Sequence, residues 1–403
     1  MKWKRIGIVC LIVVIGFSTL TGCWNRREMN QLSIAGMLGV DKIGDEYIVS
    51  AQVINPGKVF LPEGGGTNQS PVITYIENGE TLFEAFRKLT QKFPRKLYLP
   101  YVQVVIIGED LAKEGITRPL DVLVRDHNVR PDLYLAVAKG TTALSLVKIL
   151  TPLEEIPAIK LTRSMEISSQ QWAETSKVKL YQLASDLVHP GIQTHLPGIE
   201  VIGNPDEGEN TDTLNKSTLS TFLRIDGIAV FWDGKLKGWL NQRESEGFNF
   251  AKGEVNSTLV DVPCGEQGGK VGMEVVRTKS TIEGDMVRRR PRGRIAVEVE
   301  ANVAEVECPI DLNDPSVIDD LVRQTEQAIA KKVNQSLERL QHQYHSDIFG
   351  FGVALQRSHP QQWRRWEKQW DRVFSQMPIK VDIDVEIRQL GSLGNTLERE
   401  LKE

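Results

Sequence analysis

His342, His345 and Asp347 are the one place in the sequence where histidines and an acid gather. Two histidines at i and i+3 on a helix could take two corners of a metal site. No glutamate follows at metalloprotease spacing and no third histidine is near, so the trio reads as polar side chains at a helix C-terminus and no metal is assigned. Nucleophile signatures are missing too. The sequence has no G-x-S-x-G, no H-E-x-x-H, no S-x-x-K in a penicillin-binding context and no Walker loop, since Gly64, Gly65 and Gly66 lack the lysine and helix that should follow. No catalytic residue and no cofactor are assigned, although carboxylate pairs can be assembled from distant residues.

Arg288-Arg289-Arg290-Pro291-Arg292-Gly293-Arg294 carries five arginines in seven residues. In an exported chain nucleic acid is excluded as a ligand, which leaves a solvated hairpin tip or a contact for lipid phosphates or an acidic surface. Trp363, Trp366 and Trp370 share one helical face, and such a stripe is more often core than ligand cage.

The four cysteines, Cys10, Cys23, Cys264 and Cys308, have no C-x-x-C spacing. Their meaning depends on the compartment, which the first 23 residues decide. Lys2, Lys4 and Arg5 precede a 15-residue uncharged run from Ile6 to Leu20, short for a membrane span. Leu20-Thr21-Gly22-Cys23 then closes the segment like a bacterial lipobox, so residues 1–22 read as a lipoprotein signal peptide. Cys23 is the expected lipidation site, and a diacylglyceryl cysteine anchors a protein without a transmembrane helix. With Cys10 removed and Cys23 acylated, Cys264 and Cys308 are left as a candidate disulfide; sequence alone does not supply their separation. Loss of the leader removes three positive charges, taking the formal charge from −4 to −7, unlike a nucleic-acid binder.

The elements that must position these residues belong to an ordinary globular composition, 40% hydrophobic and 25% charged over 403 residues, long enough for more than one core. Residues 34–40 and 47–54 read as a hairpin, and residues 55–71 as a loop. Strands at 72–76, 102–107 and 133–138 alternate with helices at 80–91, 118–125 and 141–150, an α/β pattern. A further helix is expected over 168–188. Residues 203–217, polar and Gly/Asn-rich, read as an interdomain linker. Beyond them strands dominate, with one long helix starting at Asp314-Pro315 and the tryptophan helix after it. The expected class is mixed α+β and multidomain. An N-terminal α/β domain over 24–202 is joined to a C-terminal α+β domain over 218–393, in which an antiparallel sheet packs on the long helix. A further division near 255 is left open.

Several segments, spread over both halves of the chain, form a recognisable set. In the first half these are Cys23-Trp24-Asn25-Arg26-Arg27-Glu28, Gly39-Val40-Asp41-Lys42, the run from Leu97 to Gly108, and Arg125-Asp126. In the second half they are Asp226-Gly227-Ile228-Ala229-Val230-Phe231, Gly238-Trp239-Leu240, Val262-Pro263-Cys264, Cys308-Pro309-Ile310-Asp311-Leu312, Asp347-Ile348-Phe349-Gly350-Phe351-Gly352, and Pro360 with Trp363 and Trp370. Together these segments resemble the Ger(x)C family, the lipoprotein C subunits of spore germinant receptors, although Tyr101 stands where that family often has histidine. The resemblance implies a non-enzymatic lipoprotein on the outer face of the cytoplasmic (spore inner) membrane. Its partners would be integral-membrane receptor subunits of the A and B types. The rival readings are an exported cell-wall hydrolase and a solute-binding lipoprotein with two similar α/β lobes.

Overall fold

A short β-branched run that is apolar at every position, Val104–Ile107, lies in the middle of the first sheet. The structure is a computed structural model and describes residues 32–55, 70–92, 95–264 and 268–391, together with Trp3, Ile6 and Gly7. Cys23 and most of the expected loop at 55–71 lie outside the described residues. Strands β1 (Leu32–Ile43) and β2 (Glu46–Ile54) form the expected hairpin, turning at Gly44 with φ +60°. β3 (Val72–Gly79) pairs with β2, and β4 (Lys96–Tyr98) runs parallel to the start of β1. The interior is parallel: β1, β5 (Val104–Ile107), β6 (Tyr134–Ala138) and β8 (His195–Ile202) lie side by side, and β7 (Val178–Lys179) edges β6.

Parallel strands need crossovers, and the crossover helices cover both faces of the sheet. Val105, Ile107, Leu135 and Val137 point into one core beneath α1 (Leu82–Lys92), α2 (Glu109–Glu114), α3 (Thr117–Arg125) and α6 (Leu180–Val188). Val104, Ile106, Ala136 and Ala138 point into the other, beneath α4 (Ala143–Lys148) and α5 (Pro157–Gln171). Because both faces are buried, these strands show no polar alternation.

Two expectations need correction here. The helix expected over 168–188 is two helices, α5 and α6, separated by a turn in which Ala173 has φ +56°. Asn249 Nδ2 donates to the carbonyls of Ala173 and Thr175, both at 2.7 Å, and these buried bonds hold the turn against local helix preference. Residues 203–217 do not separate two sheets. They form a helical turn at Pro205–Gly208 and a 3-10 turn at Thr211–Asn215, with Asn204 and Asn210 accepting from backbone amides at their starts. The strands that follow, β9 (Phe222–Trp232) and β10 (Lys235–Leu240), pair onward from β8 and complete the first sheet in the order β10-β9-β8-β6-β5-β1-β2-β3. Leu150 N donates to Gly208 O at 2.9 Å, which ties the connecting segment to the body.

The second sheet is β11 (Thr258–Pro263), β12 (Lys270–Val287), β13 (Arg290–Val306) and β14 (Ile379–Gln389) in that order. Its first three strands are antiparallel, and β14 joins β13 in parallel after a helical crossover. Along β13 the inward residues Ile295, Val297, Val299, Ala301 and Val303 alternate with Ala296 and then with Glu298, Glu300 and Asn302, so this sheet is covered on one face. The long helix α8 (Pro315–Glu338) starts as expected, with Asp314 accepting from Ser316 N, and buries Leu321, Ile329, Val333 and Leu337 on the sheet. A π-helical turn over Arg339–Tyr344 extends it, and α9 (Phe351–Ser358), α10 (Pro360–Trp366) and α11 (Trp370–Gln376) follow. Helix α7 (Gln242–Lys252) was not anticipated from the sequence.

Candidate functional site: the seam between the sheets

Helix α7 is the piece that brings the two sheets together. Its polar sequence conceals that Glu244 to Ala251 are all buried. One side packs against α8, where Gly247 lets the helices touch: a Cβ there would stand 2.9 Å from Val333 N. Arg339 Nε donates to Glu244 at 2.8 Å, Lys332 pairs with Glu246, and Ser336 Oγ donates to Glu244 O at 2.6 Å. The other side meets the turn after α5 through Asn249. Gln242 and Glu246 also face Glu174, whose carboxyl is pushed up to about 7 by burial, with the Glu246 charge adding to it.

The seam continues through the segment from Tyr344 to Gly352. Asp347 is 1% exposed, and both of its oxygens are taken. It accepts from Gly350 N at 2.8 Å, Gly352 N at 2.9 Å and Trp370 Nε1 at 2.9 Å. Burial pushes the carboxyl up, and these donors pull it back. The loop so shaped lies directly on the first sheet's side. Gln193 N donates to Asp347 O at 2.8 Å, Val353 N to Gly191 O at 3.2 Å, and Ser346 Oγ to Phe231 O at 2.6 Å. Gly191 and Gly352 meet backbone to backbone, and a Cβ on Gly352 would stand 2.6 Å from Gly191 Cα. Tyr344 adds a two-way bond, its hydroxyl donating to Trp239 O at 3.0 Å and accepting from Trp239 N at 3.1 Å.

Two further motif acids, Asp41 and Asp226, are also engaged within the chain. Asp41 caps α4, accepting from Ala143 N and Leu144 N at 2.8 Å each, and burial raises its carboxyl against these amides. Asp226 pairs with Lys139, whose ammonium lies 5.4 Å from the Trp239 ring centre.

The structure separates the sequence-level trio. His342 and His345 are exposed, while Asp347 is committed to the loop and to Trp370. Among the described residues no group of three His, Cys, Asp or Glu side chains is placed to hold a metal ion. Cys264 and Cys308 are joined, with a Cα–Cα distance of 6.2 Å. Trp363 and Trp370 are buried and meet edge to face at 5.1 Å, and Trp366 is half-buried. The arginine cluster sits at the β12–β13 turn and along the start of β13.

His195 is a seam histidine that sequence reading did not single out. Its ring meets Phe248 edge-on at 4.9 Å, and burial, with the Lys252 charge adding, pushes its pKa down to about 3. Helix α7 did carry a readable signal, the Asn241/Glu244 capping box at its start and Gly253 with φ +68° at its end. A cleft of about 530 Å³ lies beside the seam, lined by Asp186, His189, Lys252, Ser280, Phe349 and Arg357.

These features define a two-sheet, multidomain α+β protein whose motif residues hold its own halves together. Residues 25–201 match the family model described as the spore germination protein N-terminal domain, and residues 226–391 match that for spore germination B3/GerAC-like proteins, C-terminal. The chain belongs to this GerAC-like, Ger(x)C family of germinant-receptor proteins, and its role lies in spore germination. Similar proteins include spore germination protein KC of Bacillus subtilis (strain 168), 29% identical over 402 residues covering 98% of each chain. Spore germination protein B3 of the same organism is 23% identical over 384 residues, covering 93% of this chain and 96% of that one. The crystal structure of the GerBC protein shares the fold with a TM-score of 0.55 at 19% identity, covering 87% of this chain and 96% of that one.

Proposed function

We propose that the chain is the lipid-anchored C subunit of a nutrient germinant receptor, acting by protein–protein contact and not by catalysis. Cys23 tethers it to the outer face of the cytoplasmic (spore inner) membrane, beside integral-membrane subunits of the A and B types. The observation that carries this reading is the match of both family models, in order, over residues 25–201 and 226–391. The chemistry of the seam supports it: Asp41, Asp226 and Asp347 are occupied by backbone amides, Trp370 or Lys139, which leaves none of the three free as an acid or base. The solute-binding alternative calls for two lobes of similar topology, and the two sheets here differ in strand number and in connection.

Co-purification from spore membranes tests the proposal directly. The wild-type chain should be recovered in the membrane fraction and crosslink to integral subunits, and Cys23→Ala should move it to the soluble fraction. Retention of the variant on the membrane would refute the lipid anchor. A wild-type chain that crosslinks to no membrane subunit would refute the receptor role.

A further inference from the structure

The arginine cluster is not an even sprinkling of surface charge. Residues 285–294 and 357–382, which lie against each other, carry eleven basic side chains and four acidic ones, whereas the whole chain has a formal charge of −4. Their contact is direct: Ser358 Oγ donates to Gly284 O at 2.6 Å, and Arg294 Nε donates to Asp382 at 2.8 Å. One pole of an acidic protein is therefore strongly basic. Among the described residues Arg288, Arg289, Arg290, Arg292, Arg364 and Arg365 form no ion pair, and all six are exposed.

The turn itself is unusual in its residues. Val287 pairs with Arg290, so Arg288 and Arg289 are the two central residues of a tight hairpin, with φ +49° and +65°. That geometry favours Asn-Gly, and a side chain with a Cβ is strained there. Two arginines thus occupy positions that folding alone would give to other residues. Behind the tip is a groove of about 970 Å³, walled by Val287, Trp366, Val373 and Met377 and rimmed by Arg288 and Arg292. The Trp366 indole Nε1 is buried and has no hydrogen-bond partner among the described residues.

We propose that this pole is a membrane-contact surface that docks onto anionic lipid headgroups. The arginines would hold phosphates by paired donors, and the half-buried tryptophan would sit at the interface. The breadth of the pole, spread over a hairpin tip and two helices, fits an extended anionic surface better than a single acidic peptide. This contact goes beyond the acyl anchor. It rests on the membrane location proposed above, and it would fix how the tethered body faces the bilayer.

The test uses the chain from Trp24 onward, which keeps both sheets and α1 to α11 and lacks the acyl chain, so failure of the lipidation reading does not affect it. Sedimentation is measured with vesicles of mixed phosphatidylglycerol and phosphatidylcholine, and with phosphatidylcholine alone. Binding to the anionic vesicles should be about tenfold or more tighter, and should weaken as salt is raised. The double variant Arg288→Asn/Arg289→Gly restores the favoured turn, so it should unfold at the same or a higher temperature while binding about tenfold or more weakly. Absence of vesicle binding, equal binding to both vesicle types, or unchanged binding by the folded double variant would overturn the proposal. Tighter binding to a polyglutamate peptide than to the vesicles would overturn it in favour of an acidic protein partner.

Discussion

Asp347 shows how a motif residue can look chemical in sequence and be architectural in structure. Its three donors are buried with it, so Asp347→Ala leaves Gly350 N, Gly352 N and Trp370 Nε1 without an acceptor. The expected loss is about 3 kcal/mol or more, measured by urea unfolding. Asp226→Ala serves as the control. Asp226 and Lys139 are 30% and 27% exposed, and such a pair contributes about 1 kcal/mol or less. Equal losses for the two variants would show that Asp347 does not organise the seam. The sequence singled out Asp347 twice, beside the histidines and within a family segment, yet its partners Gly350, Gly352 and Trp370 become neighbours only when the loop closes. Asp41 behaves likewise, since the amides it caps lie 102 and 103 residues further along.

Among the elements, those whose burial leaves a periodic trace were readable, and those buried through polar groups left a trace only at their caps. The β1–β2 hairpin, the 104–107 strand and the Asp314-capped helix were expected close to where they occur, because turn chemistry, apolar runs and capping are local. Helix α7 escaped notice because Glu244, Ser245, Glu246 and Asn249 are buried by bonds to α8 and to the turn after α5. The break at Ala173 was hidden for the same reason. The disulfide was left open in sequence since spacing gives no Cα distance, and the fold supplies it. Cys264 follows β11 and Cys308 follows β13, so the bond staples two strands across the start of β12. With the cysteines 44 positions apart in sequence, replacing both by serine should lower stability by about 4 kcal/mol, read from urea unfolding of oxidised wild type against the variant. A loss that is the same under reducing conditions would argue that burial of Cys308, and not the bond, carries the effect.

At the scale of the whole molecule, the polar stretch at 203–217 looked like a boundary, and the family models also divide the chain there, between residues 201 and 226. The first sheet nonetheless runs across it. Phe231 and Leu236 belong to the core beneath α2 and α6, so a chain ending at residue 217 would lose two strands and part of that core. Such a fragment should show no cooperative thermal transition, whereas one ending after β10 keeps the sheet complete. A well-folded fragment ending at 217 would restore the linker reading. Composition alone pointed to that reading, because loop-like residues mark the surface whether the chain beyond them starts a new sheet or returns to the old one.

The parallel pairing of β14 with β13 also sets an order of events. Seventy-two residues of helix and loop separate the end of one strand from the start of the other, so the second sheet has an open edge until nearly the whole chain is present. Closing such a distant pair is slow compared with forming a hairpin. A chain emerging N-terminus first would therefore hold its second half unfinished to the last, with β13 awaiting the final strand while the first sheet has already closed.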